Sequence, residues 1–239
     1  MLVKGQLLYQ GKAKEIYESN KKNQVIIYYK DSATAFNGEK KDTLDNKGIY
    51  NNKISTLIYK YLIKNGVETH LIEKLSDREQ LCEKVEIFPL EVIVRNRATG
   101  SFVKRLGAEE GKIFKEAVFE TSYKNDDFGD PLINTDHAVA LELASRVELA
   151  EIKKKALNIN NLLKDLFDKL GFILVDFKIE FGKTSDGRIV LADEISPDSV
   201  RLWEKDTLEK FDKDRFRQDL GNVMEAYKEV LRRLEKLGE

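Results

Sequence analysis

Short runs of apolar and aromatic residues along 6–30 are separated by a Gly-containing and an Asn-containing turn. The chain is therefore expected to open with an antiparallel meander whose second and third strands centre on 13–17 and Gln24–Tyr29. A helical pattern follows: Ile54, Leu57, Ile58, Tyr61 and Leu62 recur at helical spacing, Asp45 or Asn46 can cap the start, and Gly66 suits the position just past the end. Strands are expected at 68–74, 82–88 and Leu90–Arg97, after which the pattern turns toward helices. This places a boundary near Ile87, with an antiparallel lobe over 1–86 and a mixed α+β lobe over 87–239.

The strongest helical stripe is Ile152, Ala156, Ile159, Leu163, Leu166 and Leu170, preceded by a capping box of Ser145 and Glu148 and closed by Gly171. A second long helix is expected over 214–237, with Gly221 as its weak point. Between the two lies a hairpin, 172–181 and 188–194, turning at Asp186-Gly187. A two-residue loop there sets Glu180 directly across from Asp193. Opposed carboxylates destabilise a sheet unless one is protonated or a cation joins them, and Mg²⁺ would resolve the conflict. Asp176, Lys178 and Glu180 share a face at roughly 7 Å intervals, while Val175, Phe177, Ile179 and Phe181 fill the other. A solvated strand face screened by Lys178 has the same spacing. The stretch from Asp193 through Asp198 to Arg201 adds acid, hydroxyl and guanidinium groups directly after the strand, where sites on loops gather.

Composition narrows the partners. Forty-one basic residues stand against 42 acidic ones in 239, a net charge of -1, so no global field attracts nucleic acid or an anionic membrane and any anion site must be local. The single cysteine, Cys82, cannot form an internal disulfide, and no signal-like N-terminal segment is present, so the expected compartment is the cytosol. The longest aliphatic and aromatic run, Val25 to Tyr29, falls far short of the roughly 20 residues that span a bilayer.

Two local patterns suit phosphates. Glu91, Ile93, Arg95 and Arg97 share a strand face, and Thr99-Gly100-Ser101 then turns into a short helix from Phe102. Forked guanidiniums, a small hydroxyl and exposed amides suit a phosphate monoester, although an Arg paired with Glu91 on a structural sheet would look alike. Gly11-Lys12-Ala13-Lys14 sits in the first hairpin, where glycine permits close approach and lysine supplies charge to a polyphosphate; two solvated lysines remain the alternative. Neither a G-x-x-x-x-G-K-[ST] nor a G-x-G-x-x-G pattern occurs. His70 and His137 have no ligand-like spacing, and Trp203 either covers the site or fills core.

Two long segments carry a resemblance over nearly the whole chain: Phe88-Pro89-Leu90-Glu91-Val92-Ile93-Val94-Arg95 running into Ala98-Thr99-Gly100-Ser101, and Leu174-Val175-Asp176-Phe177-Lys178-Ile179-Glu180-Phe181-Gly182. With Gly11 to Lys14, Lys124-Asn125-Asp126, Asp130-Pro131 and Asp212 to Arg217 in the same order, the chain resembles the SAICAR synthetases, the phosphoribosylaminoimidazole-succinocarboxamide synthases. The resemblance implies a two-lobe α+β fold related to kinase-like and ATP-grasp-like architectures, with ATP in the cleft. It implies that Gly11, Lys12, Ala13 and Lys14 approach the ATP phosphates and that the backbone of Val85 to Ile87 meets adenine. Glu180 and Asp193 would hold Mg²⁺ and, with Lys178, form the catalytic set. Arg95, Ser101 and Arg201 would hold the ribotide phosphate, Lys178 and Asp198 would lie near the imidazole and ribose, and Lys124 and Asp130 are candidates for the aspartate pocket. A cytosolic homodimer acting on small molecules, without nucleic acid or membrane, is the implied setting. A small-molecule kinase or a non-catalytic nucleotide-binding regulator on the same plan are the alternatives. One departure stands out: in Ala35-Phe36-Asn37-Gly38 many family members carry aspartate where this chain has Asn37, which keeps an oxygen ligand and loses a charge.

Overall fold

The computed structural model describes residues 2–35 and 39–237, so Asn37 lies outside the described residues. The opening meander is present as β1 (Lys4–Gln10), β2 (Lys14–Ser19) and β3 (Gln24–Tyr29). A small hairpin that the sequence pattern did not announce, β4 (Ser32–Ala35) and β5 (Lys40–Thr43), precedes helix α1 (Lys47–Lys64). Strands β6 (Leu71–Lys74) and β7 (Glu79–Glu83) return to complete a five-stranded antiparallel sheet in the order β1-β2-β3-β7-β6. Asn46 stands at the helix start in a left-handed turn, φ 65°, yet its side chain caps nothing. Asp31 serves instead, accepting from the Gly48 amide at 2.9 Å while Arg78 grips it at 2.7 and 2.8 Å. Gly66, at φ 82°, ends the helix as expected.

The second sheet contains β8 (Glu86–Ile87), β9 (Leu90–Arg97), β10 (Ile113–Tyr123), β11 (Leu132–Ile133), β12 (Phe172–Lys183), β13 (Ile189–Ala192) and β14 (Val200–Glu204). Its main path runs β11-β10-β9-β12-β13, with β14 and β8 also paired to β12. Helices α2 (Ser101–Leu106), α3 (Thr135–Ala140), α4 (Arg146–Lys169), α5 (Asp214–Arg217) and α6 (Val223–Leu237) complete the chain. Ser145 and Glu148 make the reciprocal capping box at the start of α4. The stripe from Ile152 to Leu166 is buried together with Phe172, Leu174 and Phe177 of β12. That core also takes in Val25, Ile27 and Tyr29 of β3 and Ile54 and Ile58 of α1, so one contiguous apolar cluster underlies both sheets.

Three expectations are corrected. The helix over 214–237 is two helices, because Asp219, Gly221 and Asn222 adopt φ of 54°, 69° and 50° between them. The strand over 82–88 is broken between β7 and β8, which pair with different sheets. The hairpin register also shifts: Glu180 faces Ala192, not Asp193. Thr184 N–H donates to Arg188 O and Gly187 N–H to Thr184 O, both at 2.9 Å, closing a three-residue loop, Ser185 to Gly187, with Gly187 at φ 89°. A turn followed by a left-handed glycine accommodates that extra residue, and each strand slips by one against a two-residue loop.

Candidate active site

Asp193 leaves β13 at φ 63°, a left-handed kink, and its charge acts on Glu180 despite the shifted register. Two lysines from distant segments reach the pair. Lys14, at the start of β2, bonds Asp193 and lies 3.4 Å from Glu194, and Lys124, just after β10, places its Nζ 2.5 Å from Glu180 Oε1. Burial pushes the Glu180 carboxyl up to about 7, the Asp193 charge adds to that, and Lys124 opposes it. For Asp193, burial pulls the same way, but the Lys14 ammonium outweighs it and holds the group below its ordinary value. Burial raises Glu194, whose Oε2 is buried without a hydrogen-bond partner. Lys14 is itself held above its usual value: burial works against its charge, and Asp193 and Glu194 overcome it. The group is a set of carboxylates whose charge calls for cations.

Among the described residues no three His, Cys, Asp or Glu side chains are grouped to hold a metal alone. Two convergent carboxylates, one orphaned oxygen nearby and lysines already drawn to them suit a hard cation that completes its shell with phosphate oxygens and water, as Mg²⁺ does.

At the other end of β12, Asp176 stands opposite Arg95 of β9 and Arg201 of β14 at once. Arg95 Nη1 lies 2.9 Å and Arg201 Nη1 2.8 Å from Asp176 Oδ2, so three adjacent strands carry charges of alternating sign. Arg95 also donates to Glu120 at 2.7 Å and to the Ser101 hydroxyl at 3.1 Å, and Arg201 to Asp214 at 2.9 Å. Gly100, at φ 54°, lies so close that a Cβ there would stand 2.8 Å from Arg201 Nη2. Arg95, Ser101 and Arg201 are thus brought together with donors in a fixed array, a geometry suited to a phosphate.

Asp198 has other company. Lys47 of α1 lies 2.5 Å and Lys213 3.8 Å from its Oδ2, and Tyr227 of α6 donates to Oδ1 at 2.6 Å. Burial opposes the charge of Asp198, yet Lys213, Lys47 and Tyr227 hold its pKa well below the ordinary range. Lys12 pairs with Asp126 at 2.8 Å, and the Gly11 amide closes the turn on Lys14 O at 2.8 Å. Lys178 pairs with Glu91 at 2.5 Å on the exposed sheet face. Asp130, at φ 51°, accepts from the Asn125 amide at 2.9 Å and so shapes the turn that presents Lys124. Val85 packs on Gly182, where a Cβ would meet Val85 Cγ2 at 2.4 Å, and Ile87 borders a concavity of about 420 Å³ with Phe88 and Lys183. Lys47 and Tyr227 carry no spacing signal in the sequence, whereas Glu194 and Lys213 lie within the stretches 193–201 and 212–217; the tertiary fold collects all four.

A family model described as SAICAR synthetase matches residues 7–234. The phosphoribosylaminoimidazole-succinocarboxamide synthase of Fusobacterium nucleatum is 59% identical over 231 residues, 97% of this chain and 98% of that protein. A crystal structure of the enzyme of the same name from Ehrlichia chaffeensis superposes with a TM-score of 0.94 at 45% identity, covering 96% of this chain and 98% of that one. A SAICAR synthetase in complex with ADP superposes at 0.93 with 44% identity, covering 96% and 97%.

Proposed function

The chain belongs to the SAICAR synthetase family, and from that premise we propose that it joins L-aspartate to the carboxylate of 5-amino-1-(5-phosphoribosyl)imidazole-4-carboxylate with cleavage of ATP to ADP and phosphate. The observation that carries this reading is the pair of charge clusters on one strand face. Asp176 and Glu180, four residues apart on β12, mark an arginine cluster and a lysine-carboxylate cluster about 13 Å apart. That spacing suits one molecule with a phosphate at one end and a reacting carboxylate at the other.

In this reading ATP phosphorylates the imidazole carboxylate, and the amine of aspartate attacks the acyl phosphate, forming the amide and releasing phosphate. No side chain becomes covalently attached. Lys14 and the Gly11–Lys14 turn bind the polyphosphate, the backbone around Val85 and Ile87 takes the adenine, and Arg95, Ser101 and Arg201 fix the ribotide phosphate. Lys178 and Asp198 orient the ribotide, and Lys124 and Asp130 serve the aspartate pocket. Glu180 and Asp193 would hold Mg²⁺, which offsets phosphate charge during transfer. The division into a nucleotide-covering part, 1–86, and a substrate part, 87–239, the kinase-like and ATP-grasp-like kinship, a cytosolic setting and a homodimer belong to the same proposal. No helix among the described residues is long and apolar enough to cross a membrane.

The test is ADP release by the purified protein with Mg²⁺, ATP and the ribotide, with and without L-aspartate. Release that requires all three, with a product of succinocarboxamide mass, supports the ligase. Release without aspartate would indicate a kinase, and binding without release a regulatory protein.

A further inference from the structure

The direction of the Asp193 carboxylate depends on a left-handed kink that costs a non-glycine residue roughly 1 kcal/mol and persists only where its surroundings impose it. The surroundings are unusually specific. Tyr59 of α1, wholly buried, donates its hydroxyl to Ala192 O at 2.8 Å. His70, buried just before β6, places Nε2 3.2 Å from Asp193 O; a carbonyl only accepts, so this nitrogen carries the proton. The two rings stand edge to face with centroids 5.8 Å apart, each fixing the other. The His70 amide donates to Leu191 O at 2.8 Å, the Leu191 amide to Glu68 O at 3.0 Å, and the Ile195 amide to Ser55 Oγ of α1 at 3.3 Å. Residues 191–195 are therefore pinned on both sides of the kink by a helix and a loop that belong to the first sheet's half of the chain.

We propose that Tyr59 and His70 are positioning residues that set the Asp193 carboxylate for metal binding by holding the carbonyls of Ala192 and Asp193. The inference rests on the reading of Asp193 as a metal ligand. Without either donor a buried carbonyl loses its partner, the kink relaxes toward extended backbone, and the carboxylate swings away from Glu180. Groups that orient metal ligands from behind typically govern affinity by 10- to 100-fold when removed.

The experiment measures Mn²⁺ binding by electron paramagnetic resonance to the full chain in the presence of ADP, with thermal melting in parallel, for the wild type, Tyr59→Phe, His70→Ala, His70→Gln and Asp193→Asn. Tyr59→Phe and His70→Ala should each weaken Mn²⁺ binding about tenfold. His70→Gln, which keeps an N–H donor at similar reach, should restore most of the loss. Metal-free ADP binding by Tyr59→Phe and His70→Ala should stay unchanged. Wild-type Mn²⁺ affinity in Tyr59→Phe and His70→Ala, whatever happens to their melting temperatures, overturns the positioning role if Asp193→Asn still loses the metal. Wild-type affinity in Asp193→Asn overturns the metal reading itself and the inference with it. Should His70→Ala fail to fold, Tyr59→Phe, which removes a single oxygen, decides the matter alone.

Discussion

Lys124 Nζ stands 2.5 Å from Glu180 Oε1, so a lysine from the turn after β10 partly neutralises a carboxylate that burial and Asp193 together push up to about 7. A buried charge that unfavourable serves binding better than stability. Glu180→Gln should lower turnover by about 10²–10³-fold, while the melting temperature stays at or above that of the wild type because a repulsion with Asp193 disappears. Steady-state kinetics and calorimetry check both halves, and near-normal turnover would remove Glu180 from the metal set.

The Arg95-Asp176-Arg201 array makes the opposite prediction. Asp176→Asn leaves two largely buried guanidiniums without their shared counter-charge, and the expected loss of stability is about 3 kcal/mol. Urea denaturation reads it as a lower midpoint at unchanged slope.

Two glycines with positive φ separate strain from function. Gly187→Ala meets nothing within 4 Å, so only its φ of 89° is penalised, and stability should fall by about 1 kcal/mol with kinetics untouched. Gly100→Ala adds a Cβ against Arg201, displacing the guanidinium. Its KM for the ribotide should rise about tenfold, the worth of one charge-assisted hydrogen bond. Equal kinetics for the two variants would take the phosphate away from this array.

Burial lowers the His70 imidazole from 6.5 to about 4. The unfolded chain takes up this proton as pH falls through 6.5 while the folded chain does not until about 4, so the stability of the neutral ring is complete above 6.5 and is lost on acidification. Between pH 7.5 and 5.0 the wild type should lose about 2 kcal/mol more than His70→Gln. Urea midpoints of the two proteins at both pH values measure the difference; parallel curves would show that His70 titrates normally.

Where local rules act alone, the sequence was readable. The meander, the Ser145–Glu148 capping box, the α4 stripe and the Gly66 stop follow from nearest-neighbour sterics and period. Strand β10 escaped because Lys115 and Glu116 lie on its exposed part and break the apolar alternation, although Val118 to Tyr123 keeps β-forming residues. A two-residue loop at Asp186-Gly187 would set Glu180 across from Asp193, whereas the three-residue loop sets it across from Ala192. Register is set by one residue in the turn, and the kink at Asp193, which brings the carboxylates together, is imposed by Tyr59 and His70 more than a hundred positions away. The Lys47-Asp198-Tyr227 contact joins three segments that no spacing links.

Strand β12 bears Asp176 and Glu180 on one face and serves as a ruler between them. Its graduations are quantised: adding or deleting a single residue between the two would turn one of the carboxylates into the apolar core, and a two-residue change would alter the span by about 7 Å. If one ligand spans the two clusters, as proposed, a slightly longer or shorter one cannot be accommodated by adjusting this strand. On that reading, a change of substrate length would come from the segments that carry Lys124 and lead into α2, leaving the ruler itself untouched.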